Sequence, residues 1–228
     1  MFPNDTTDSS APSYDLLHKH FLATRPLLHR PGSRYDYSNH GMGLTTLVIE
    51  EATGASYRSY TRNQYLAPMG LNGHIRPQTV ANDSRDSFAY DRTGNNNHVL
   101  RPFKNSEAGL AAGGWTAPAQ GIVAVTSNLA ESYGYDMMDD AAFRSESKGK
   151  LEHGGSIEGG RAYVAVFPTG YVSNSGVDLS DIHVAIASNT NGLKDGISSR
   201  MESLASTIAL ETGMANLPEF VDYWPEAW

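Results

Sequence analysis

The sequence contains no cysteine. This absence excludes disulfide bonds, thiolate metal sites and a cysteine nucleophile together. No apolar run approaches the roughly 20 residues that a membrane-spanning helix needs, and the polar stretch Met1 to Ser10 has no apolar signal-peptide core. We therefore expect no membrane partner. We expect a cytoplasmic location if Met1 is the true start, and an unknown location otherwise.

Basic charge is also scarce. The chain has 17 Lys and Arg against 25 Asp and Glu, which gives a formal net charge of −8. Such a chain repels nucleic acid, and no basic stripe with interleaved aromatic residues is present. We therefore expect no nucleic-acid partner.

The general catalytic and cofactor motifs are missing as well. There is no P-loop, no dinucleotide-binding glycine fingerprint and no His-Glu-x-x-His. The nearest approach to a Gly-x-Ser-x-Gly elbow, residues 154–158, lacks its final glycine. His18 and His20 are two apart, so on a helix they point to different sides and predict no metal site.

The residues that are present predict an α+β protein, with an antiparallel sheet flanked by helices. We expect a disordered tail at residues 1–12 and one partial domain over 13–228, with residues 72–107 irregular. Apolar spacing predicts helices at 14–22, 41–53, 56–65 and 197–211, with Gly54 ending the second and Ser56 capping the third, and another helix after a Thr116 cap. Strands are predicted at 151–157, 161–167 and 181–188. The expected apolar helix faces are Leu44, Leu47, Val48 and Ala52, then Ile197, Met201, Leu204 and Ile208.

Two short segments are candidates for chemistry. Tyr37-Ser38-Asn39 stands at the entry to a predicted helix, and His153-Gly154-Gly155-Ser156 opens a predicted strand. Each is weak alone, because a lone Tyr-x-Asn arises often by chance and a lone His-Gly-Gly is more often a strand end. On a mostly apolar strand, His183 is expected to be a satisfied core histidine.

Five segments in order resemble one family. The stretch from Arg30 to Gly41 is similar to the Pro-Gly … Tyr-Ser-Asn … Gly segment of class C β-lactamases, family VIII esterases and D-Ala-D-Ala carboxypeptidases. Residues 47–57 resemble the helix and turn that follow. Residues 68–71 and 112–117 resemble a Pro-Leu-Gly-Met stretch and an Ala-Gly-Gly loop, and His153 to Ser156 resembles the third motif. The chain is thus identified as a member of the serine β-lactamase and penicillin-binding-protein superfamily.

The resemblance implies a β-lactamase/transpeptidase-like fold and an acyl-enzyme mechanism without cofactor or metal. In the family, a serine of Ser-x-x-Lys attacks an acyl carbon and a tyrosine takes or relays its proton. A tyrosine, with a usual pKa of about 10, does so only beside a stabilising cation. The resemblance assigns that role to Tyr37 and an orienting role to Asn39. It places His153, Gly154, Gly155 and Ser156 along the cleft, with the Ser156 N–H in the oxyanion hole; Trp115 is either a cleft wall or a core residue.

The resemblance implies a small ester, peptide or β-lactam substrate. His153 stands where many β-lactamases have lysine. A histidine is only partly charged at neutral pH, so it attracts a substrate carboxylate less strongly. We therefore expect esters or peptides to be preferred over β-lactams.

One part of the pattern is absent. No Ser-x-x-Lys precedes Tyr37. Ser145-Glu146-Ser147-Lys148 and the overlapping Ser147-Lys148-Gly149-Lys150 match the motif, but they lie in a charged stretch without an apolar helical face. We expect a surface loop there and no nucleophile in this chain. Two interpretations stay open. Either the N-terminal part is missing, so that a lost segment or complementing chain carries the nucleophile, or the chain is a non-catalytic binding or scaffold pseudoenzyme. The retention of Tyr37 and Asn39 favours the first.

Overall fold

The computed structural model describes residues 14–34, 36–77, 89–92, 98–101, 107–133, 149–157, 159–190 and 197–212. Backbone contacts divide the chain into two compact units. The first comprises Met1–Asn82 and Pro102–Ala117, and the second comprises Asp83–Arg101 and Pro118–Trp228. The expected tail at residues 1–12 lies outside the described residues, and the expectation of one partial domain stays a prediction.

The helices and strands follow the α+β order that the sequence predicted. In the first unit they are α1 (Tyr14–Thr24), α2 (Asn39–Thr53), α3 (Tyr57–Tyr60) and the short strands β1 (Arg76–Pro77) and β4 (Trp115–Thr116). In the second unit they are β2 (Ala89–Arg92), β3 (His98–Arg101), α4 (Ala119–Tyr133), β5 (Leu151–Ile157), β6 (Gly160–Val166), β7 (His183–Ser188) and α5 (Ile197–Thr212).

Small polar residues and a glycine set the ends of α2 and α3. The Ser38 hydroxyl accepts a hydrogen bond from the Gly41 N–H at 2.9 Å and caps α2. Gly54 ends that helix at φ 68°, in the left-handed region that favours glycine. Ser56 accepts from the Ser59 N–H at 3.2 Å and caps α3, which continues as a π-helix over Thr61–Leu66. The predicted Gly54 and Ser56 caps are therefore confirmed.

The buried side of α2 differs from the predicted apolar face. Gly43 and Thr46 are buried, whereas Val48 is 67% exposed and Ala52 is also exposed. Leu44 and Leu47 are half-buried. Placing Val48 and Ala52 on the buried face was thus wrong. Thr46 tolerates burial because its hydroxyl donates to the Gly43 carbonyl at 2.7 Å, and α2 packs against the 3₁₀ segment Glu107–Ala112.

A short antiparallel ladder joins β1 and β4 in the first unit, with Pro77 opposite Trp115. Thr116 lies in this ladder, so the prediction that it caps the following helix was wrong. The helix α4 begins at Ala119, and the Pro118 carbonyl accepts the Ile122 N–H at 3.1 Å. Proline suits that place because its fixed φ matches the start of a helix.

The main sheet of the second unit is antiparallel and has the order β5-β6-β7. Leu151 lies opposite Val166, and Gly154 lies opposite Tyr163. Gly159, at φ 76°, lies in the turn between β5 and β6. The three predicted strands and their antiparallel pairing are confirmed, with small shifts at their ends.

A second ladder, β2 with β3, lies where the sequence predicted an irregular stretch. Ala89 is opposite Arg101, and Arg92 is opposite His98. The Tyr90 N–H donates to the Asn189 carbonyl at 2.9 Å, which ties this ladder to the chain just beyond β7. The expectation that residues 72–107 are irregular throughout was therefore wrong. Strands of four residues are too short for their alternation to stand out among polar neighbours.

Helices cover both faces of the main sheet. On the α5 face, Ala165 and Phe167 pack against Met201 and Ala205. On the α4 face, Val164 and Val166 of β6 pack with Leu151 of β5 and Ala130 of α4. Phe167, Leu179 and Met201 are 0% exposed. Burying each such side chain contributes about 1.5–3 kcal/mol. The predicted antiparallel sheet flanked by helices is confirmed.

The buried side of α5 consists of smaller residues than the predicted stripe. Met201, Ala205 and Ala209 are buried, whereas Leu204 is 41% exposed, so its assignment to the core was wrong. Alanine lets a helix approach a sheet more closely than leucine does. The side of α5 that carries Ala205 and Ala209 therefore faces the sheet. Ile208 is half-buried, and the side chain of Ile197 lies outside the described residues.

His183 connects β7 to α4. Its Nδ1 shares a hydrogen bond of 2.5 Å with the Ser127 hydroxyl. Burial lowers the pKa of His183 below its usual value near 6.5, and the acidic groups of Glu131 and Asp181 only partly oppose this. The half-buried, hydrogen-bonded state agrees with the expected satisfied histidine.

This arrangement predicts that acid weakens the fold through His183. The unfolded histidine gains its proton near pH 6.5 and the folded one only at lower pH, so the unfolded state binds more protons between the two values. The free energy of unfolding should therefore fall as the pH decreases from about 6.5 to the lowered pKa, and this contribution is fully present above about 6.5. Urea denaturation across this range measures the slope.

The matched variant is His183→Gln, which stays neutral and keeps a polar partner for Ser127. On acidification the free energy of unfolding should fall more for the wild type than for the variant, because only the wild type has a side chain whose pKa is lowered by folding. Equal pH slopes for the two proteins would contradict the interpretation.

Candidate functional site

The Tyr37-Ser38-Asn39 segment lies in the first unit, at the start of α2. The Tyr37 hydroxyl donates to Asn39 Oδ1 at 3.0 Å, and the Tyr37 side chain is 58% exposed. The Ser38 hydroxyl is used for the helix cap. Ser38 therefore fixes the backbone at the helix start. Tyr37 and Asn39 on either side of it present a phenol and an amide that are hydrogen-bonded to each other.

Neighbouring elements of the first unit hold this helix start. The ring centroids of Phe21 on α1 and His40 on α2 are 4.5 Å apart. At the other end of α2, Glu50 Oε1 accepts the Tyr57 N–H at 2.8 Å, which ties α2 to α3. The phenol and amide are thus carried by a helix that is held at both ends.

Trp115 is half-buried on β4 and meets the ring of Tyr57 edge-on, with centroids 6.4 Å apart and an interplanar angle of 70°. This contact accounts for its partial burial by packing within the first unit. A role for the remaining exposed part of the ring as a wall of the cleft stays a prediction.

The His153-Gly154-Gly155-Ser156 segment lies in the second unit, on β5. All of its residues are exposed. Alternation along the strand puts His153 and Gly155 on the side of Leu151, which is the α4 face, and Gly154 on the α5 face. The segment thus forms an accessible stretch of backbone on β5, the first strand in the described order β5-β6-β7.

The two glycines of this segment have different surroundings. A Cβ at Gly154 would lie 2.7 Å from Cδ2 of Tyr163, because the tyrosine ring crosses the strand there. A Cβ at Gly155 would meet nothing within 4 Å. Gly154 is therefore required by packing, whereas packing places no such demand on Gly155.

A buried polar cluster, which the sequence did not lead us to predict, lies beside this strand. The Lys150 ammonium is 3.0 Å from Glu152 Oε2 and 3.6 Å from Glu202 Oε2, with its side chain 8% exposed. The Tyr163 hydroxyl donates to Glu152 Oε2 at 2.5 Å. Two features of the sequence could have indicated this cluster. Lys150 and Glu152 are two residues apart and so lie on one face of the strand, and Glu202 is next to the buried Met201 on α5.

Glu202 is further held by the connection between β6 and β7. Its Oε1 accepts the Asn174 N–H at 2.6 Å, and its Oε2 accepts the Tyr171 hydroxyl at 3.1 Å. Burial, followed by the charge of Glu202, raises the pKa of Tyr171 to about 12. Tyr171 therefore stays a neutral hydrogen-bond donor to Glu202 at physiological pH.

Other sequence expectations fall outside these two sites. The Ser145 to Lys148 stretch lies outside the described residues, as does the side chain of His18. Within the described ranges, no three His, Asp or Glu side chains come together as metal ligands. None of the helices described there is long and apolar enough to cross a membrane. The Tyr37 and His153 segments lie in different units, and each is described by itself.

Comparison with curated proteins finds relatives over part of the chain. Protein flp of Staphylococcus aureus strain NCTC 8325 / PS 47 is 27% identical over 110 residues, which are 48% of this chain and 20% of that protein. Protein flp of strain COL is 28% identical over 103 residues, which are 45% of this chain and 19% of that protein. The chain spans about a fifth of the length of these curated relatives.

Comparison with solved structures identifies the fold. A penicillin binding protein from Bacillus halodurans matches with a TM-score of 0.59 and 16% identity over 86% of this chain and 66% of that chain. A D-stereospecific amidohydrolase from Streptomyces sp. matches with a TM-score of 0.57 and 20% identity over 79% of this chain and 56% of that chain. The expected β-lactamase/transpeptidase-like fold is thereby confirmed.

The family comparison covers most of the chain, from ahead of α1 into α5. The family model described as Beta-lactamase matches residues 2–204 and includes both candidate segments. With the fold and the order of motifs in agreement, this chain belongs to the beta-lactamase family.

Proposed function

We propose that this chain supplies the proton-transfer and substrate-binding parts of a serine hydrolase that works through an acyl-enzyme. The observation that carries the proposal is the paired phenol and amide of Tyr37 and Asn39 at a capped helix start. Family membership supports the proposal. The exposed, glycine-containing strand that begins near His153 supports it as well.

In this proposal Tyr37 accepts the proton of the attacking serine hydroxyl as the serine oxygen bonds to the substrate's acyl carbon. The same proton later passes to the leaving group, and water then releases the acyl group. The hydrogen bond between Tyr37 and Asn39, 3.0 Å long, restricts where the phenol oxygen can lie. Tyrosine acts in this way only beside a cation, which the lysine of a Ser-x-x-Lys motif would supply.

The β5 backbone takes the second part of the task. As the acyl carbon becomes tetrahedral, its oxygen gains negative charge, and an N–H at Ser156 would donate to it. The exposure of the strand from His153 to Ser156 supports this role. So does the open space at Gly155, because it lets a substrate approach the backbone closely.

The nucleophile is proposed to come from a segment outside this sequence. The Ser-x-x-Lys matches in this sequence, Ser145 to Lys148 and the overlapping Ser147 to Lys150, lie among charged residues and have no apolar helical face. On this proposal the chain alone is inactive and becomes a hydrolase when a segment bearing Ser-x-x-Lys completes it. The same observation supports the second candidate, a non-catalytic binding or scaffold protein of the family.

A fluorophosphonate probe tests the proposal directly. The chain alone should carry no label on any serine, Ser145 included, in mass spectra of the treated protein. A polypeptide encoded at the same locus and bearing Ser-x-x-Lys before an apolar helix should become labelled when mixed with the chain. The mixture should hydrolyse esters, and Tyr37→Phe should slow hydrolysis by about 10²–10⁴-fold.

Ser145→Ala is the control for the probe experiment, because it should change neither labelling nor hydrolysis. A labelled Ser145 would refute the assignment of the nucleophile to another segment. A locus without Ser-x-x-Lys, together with an unlabelled chain, would favour the binding or scaffold protein.

His153 predicts the order of substrates for the completed enzyme. Because histidine offers less positive charge than lysine to a substrate carboxylate, a short p-nitrophenyl ester should be turned over faster than a chromogenic cephalosporin. The ratio of the two kcat/KM values measures this preference. His153→Lys should raise the cephalosporin value relative to the ester value, and faster cephalosporin turnover by the wild type would refute the preference.

The adjacent glycines give a matched pair of variants that separates folding from function. Gly154→Ala should lower the free energy of unfolding by about 1–3 kcal/mol, because the new Cβ collides with the Tyr163 ring. Gly155→Ala should leave stability nearly unchanged, since its Cβ enters open space.

The same Gly155 variant should slow hydrolysis by the completed enzyme by about 10²-fold, through displacement of the bound substrate. Chemical denaturation and ester kinetics provide the two measurements. An active Gly155→Ala enzyme with unchanged kcat/KM would show that no substrate approaches this part of β5.

A further inference from the structure

We propose that Lys150, Glu152, Tyr163 and Glu202 form a clamp that positions the β5 backbone at Gly154 and beyond. Lys150 and Tyr163 are its positioning residues, acting on substrate only through the strand. The inference rests on the proposed function, because that stretch of backbone is where the acyl oxygen would bind. Its direct test measures the strand itself and needs no hydrolysis.

The need for a clamp follows from the place of β5 in the sheet. In the described order β5-β6-β7, the strand β5 has β6 on one side and stands at the end of the order. A strand bonded on one side opens more readily than a central one. The part of β5 that carries Gly154 and Gly155 is also exposed and lacks side chains that could anchor it.

Lys150 ties the start of β5 to α5. Its ammonium lies 3.0 Å from Glu152 on the strand and 3.6 Å from Glu202 on the helix. It also lies 5.8 Å from the centroid of the Phe167 ring, whose side chain is fully buried. Shielding from water makes these charge contacts stronger than they would be on the surface. One buried cation thus restrains the strand against the helix.

Tyr163 restrains the next part of β5 from the neighbouring strand. Its ring lies over Gly154, so closely that a Cβ there would be 2.7 Å from Cδ2. Its hydroxyl donates to Glu152 Oε2, the oxygen that also meets Lys150. The side chain therefore spans two residues of β5 on one face, with an apolar contact at Gly154 and a charged hydrogen bond at Glu152.

Glu202 gives the clamp a fixed end. Both of its oxygens have donors from outside the strand, the Asn174 N–H at 2.6 Å and the Tyr171 hydroxyl at 3.1 Å. Apolar side chains could bury the same area, but they lack the directional bonds that fix one strand against one helix in a single register. This directionality is the reason to infer a positioning role in addition to a contribution to stability.

Hydrogen exchange on the whole chain, followed by mass spectrometry of its peptides, tests the clamp. Tyr163→Phe keeps the ring and removes one hydroxyl, and Lys150→Met keeps the length and removes the charge. Tyr163→Phe should speed exchange of the β5 amides, residues 151–157, by about tenfold, the equivalent of one charged hydrogen bond. Lys150→Met should speed it by more, because it leaves two carboxylates without their shared cation. Exchange of the β7 amides, residues 183–188, should change far less.

Leu179→Ala is the matched control, because Leu179 is buried in the same unit and belongs to no part of the clamp. It should speed exchange in β5 and β7 by the same factor. Equal effects on β5 and β7 in Tyr163→Phe, or no effect on either, would overturn the clamp. If Lys150→Met fails to fold, Tyr163→Phe decides the question, because it removes a single oxygen atom.

The completed enzyme supplies the second readout. Tyr163→Phe should lower kcat for an ester by about tenfold and leave KM nearly unchanged. The displaced N–H at Ser156 would stabilise the transition state less, whereas it contributes little to binding of the ground-state substrate. Unchanged kcat together with faster β5 exchange would overturn the positioning role. Selective β5 exchange in a protein that no Ser-x-x-Lys segment activates would refute the proposed function and leave the clamp in place.

Discussion

Burial of the central strand β6 on both faces is the constraint on which the second unit depends. Its alternate residues enter two separate cores, one closed by α5 and the other by α4. A shift of one residue in register would exchange these two sets of side chains, so the packing fixes the register strongly. The positions of β5 and β7 follow, because each pairs with β6 along its length.

The same register decides what the β5 glycines can do. It puts Gly154 opposite Tyr163 and leaves Gly155 facing open space. One glycine thus serves the packing of an aromatic ring, and the other leaves the backbone accessible. Two identical neighbours in the sequence therefore have separate reasons for lacking a side chain, and in the proposed function it is the second that bears on substrate approach.

Charge inside the second unit is arranged around one ammonium group. Lys150 meets two carboxylates, and each carboxylate has at least one further donor. Such a cluster is costly to bury, and removing a single partner from a buried ion pair costs about 3–5 kcal/mol. Its contribution to structure lies in the directions that it fixes between strand, helix and loop. These directions converge on the strand that the proposed function uses.

Much of this protein could be predicted from local sequence patterns. Ser56 and Gly54 marked helix ends because capping depends on one residue and its immediate neighbours. The strands β5 to β7 were found from apolar runs and a glycine turn, and the ordered motifs predicted the family. The sequence also singled out Tyr37 and Asn39, whose hydrogen bond is local.

Contacts between distant residues could not be predicted in the same way. Leu204 is exposed and Ala205 buried because the approach of α5 to the sheet, and not hydrophobicity alone, selects the buried side. The β2–β3 ladder and the Lys150 cluster likewise depend on partners far along the chain. The sequence by itself determined the family, the helix caps and the candidate chemical groups, because these depend on residue identity and near neighbours. The tertiary structure alone decided helix rotation, the different roles of the two glycines and the buried charge cluster, because each depends on which surfaces meet.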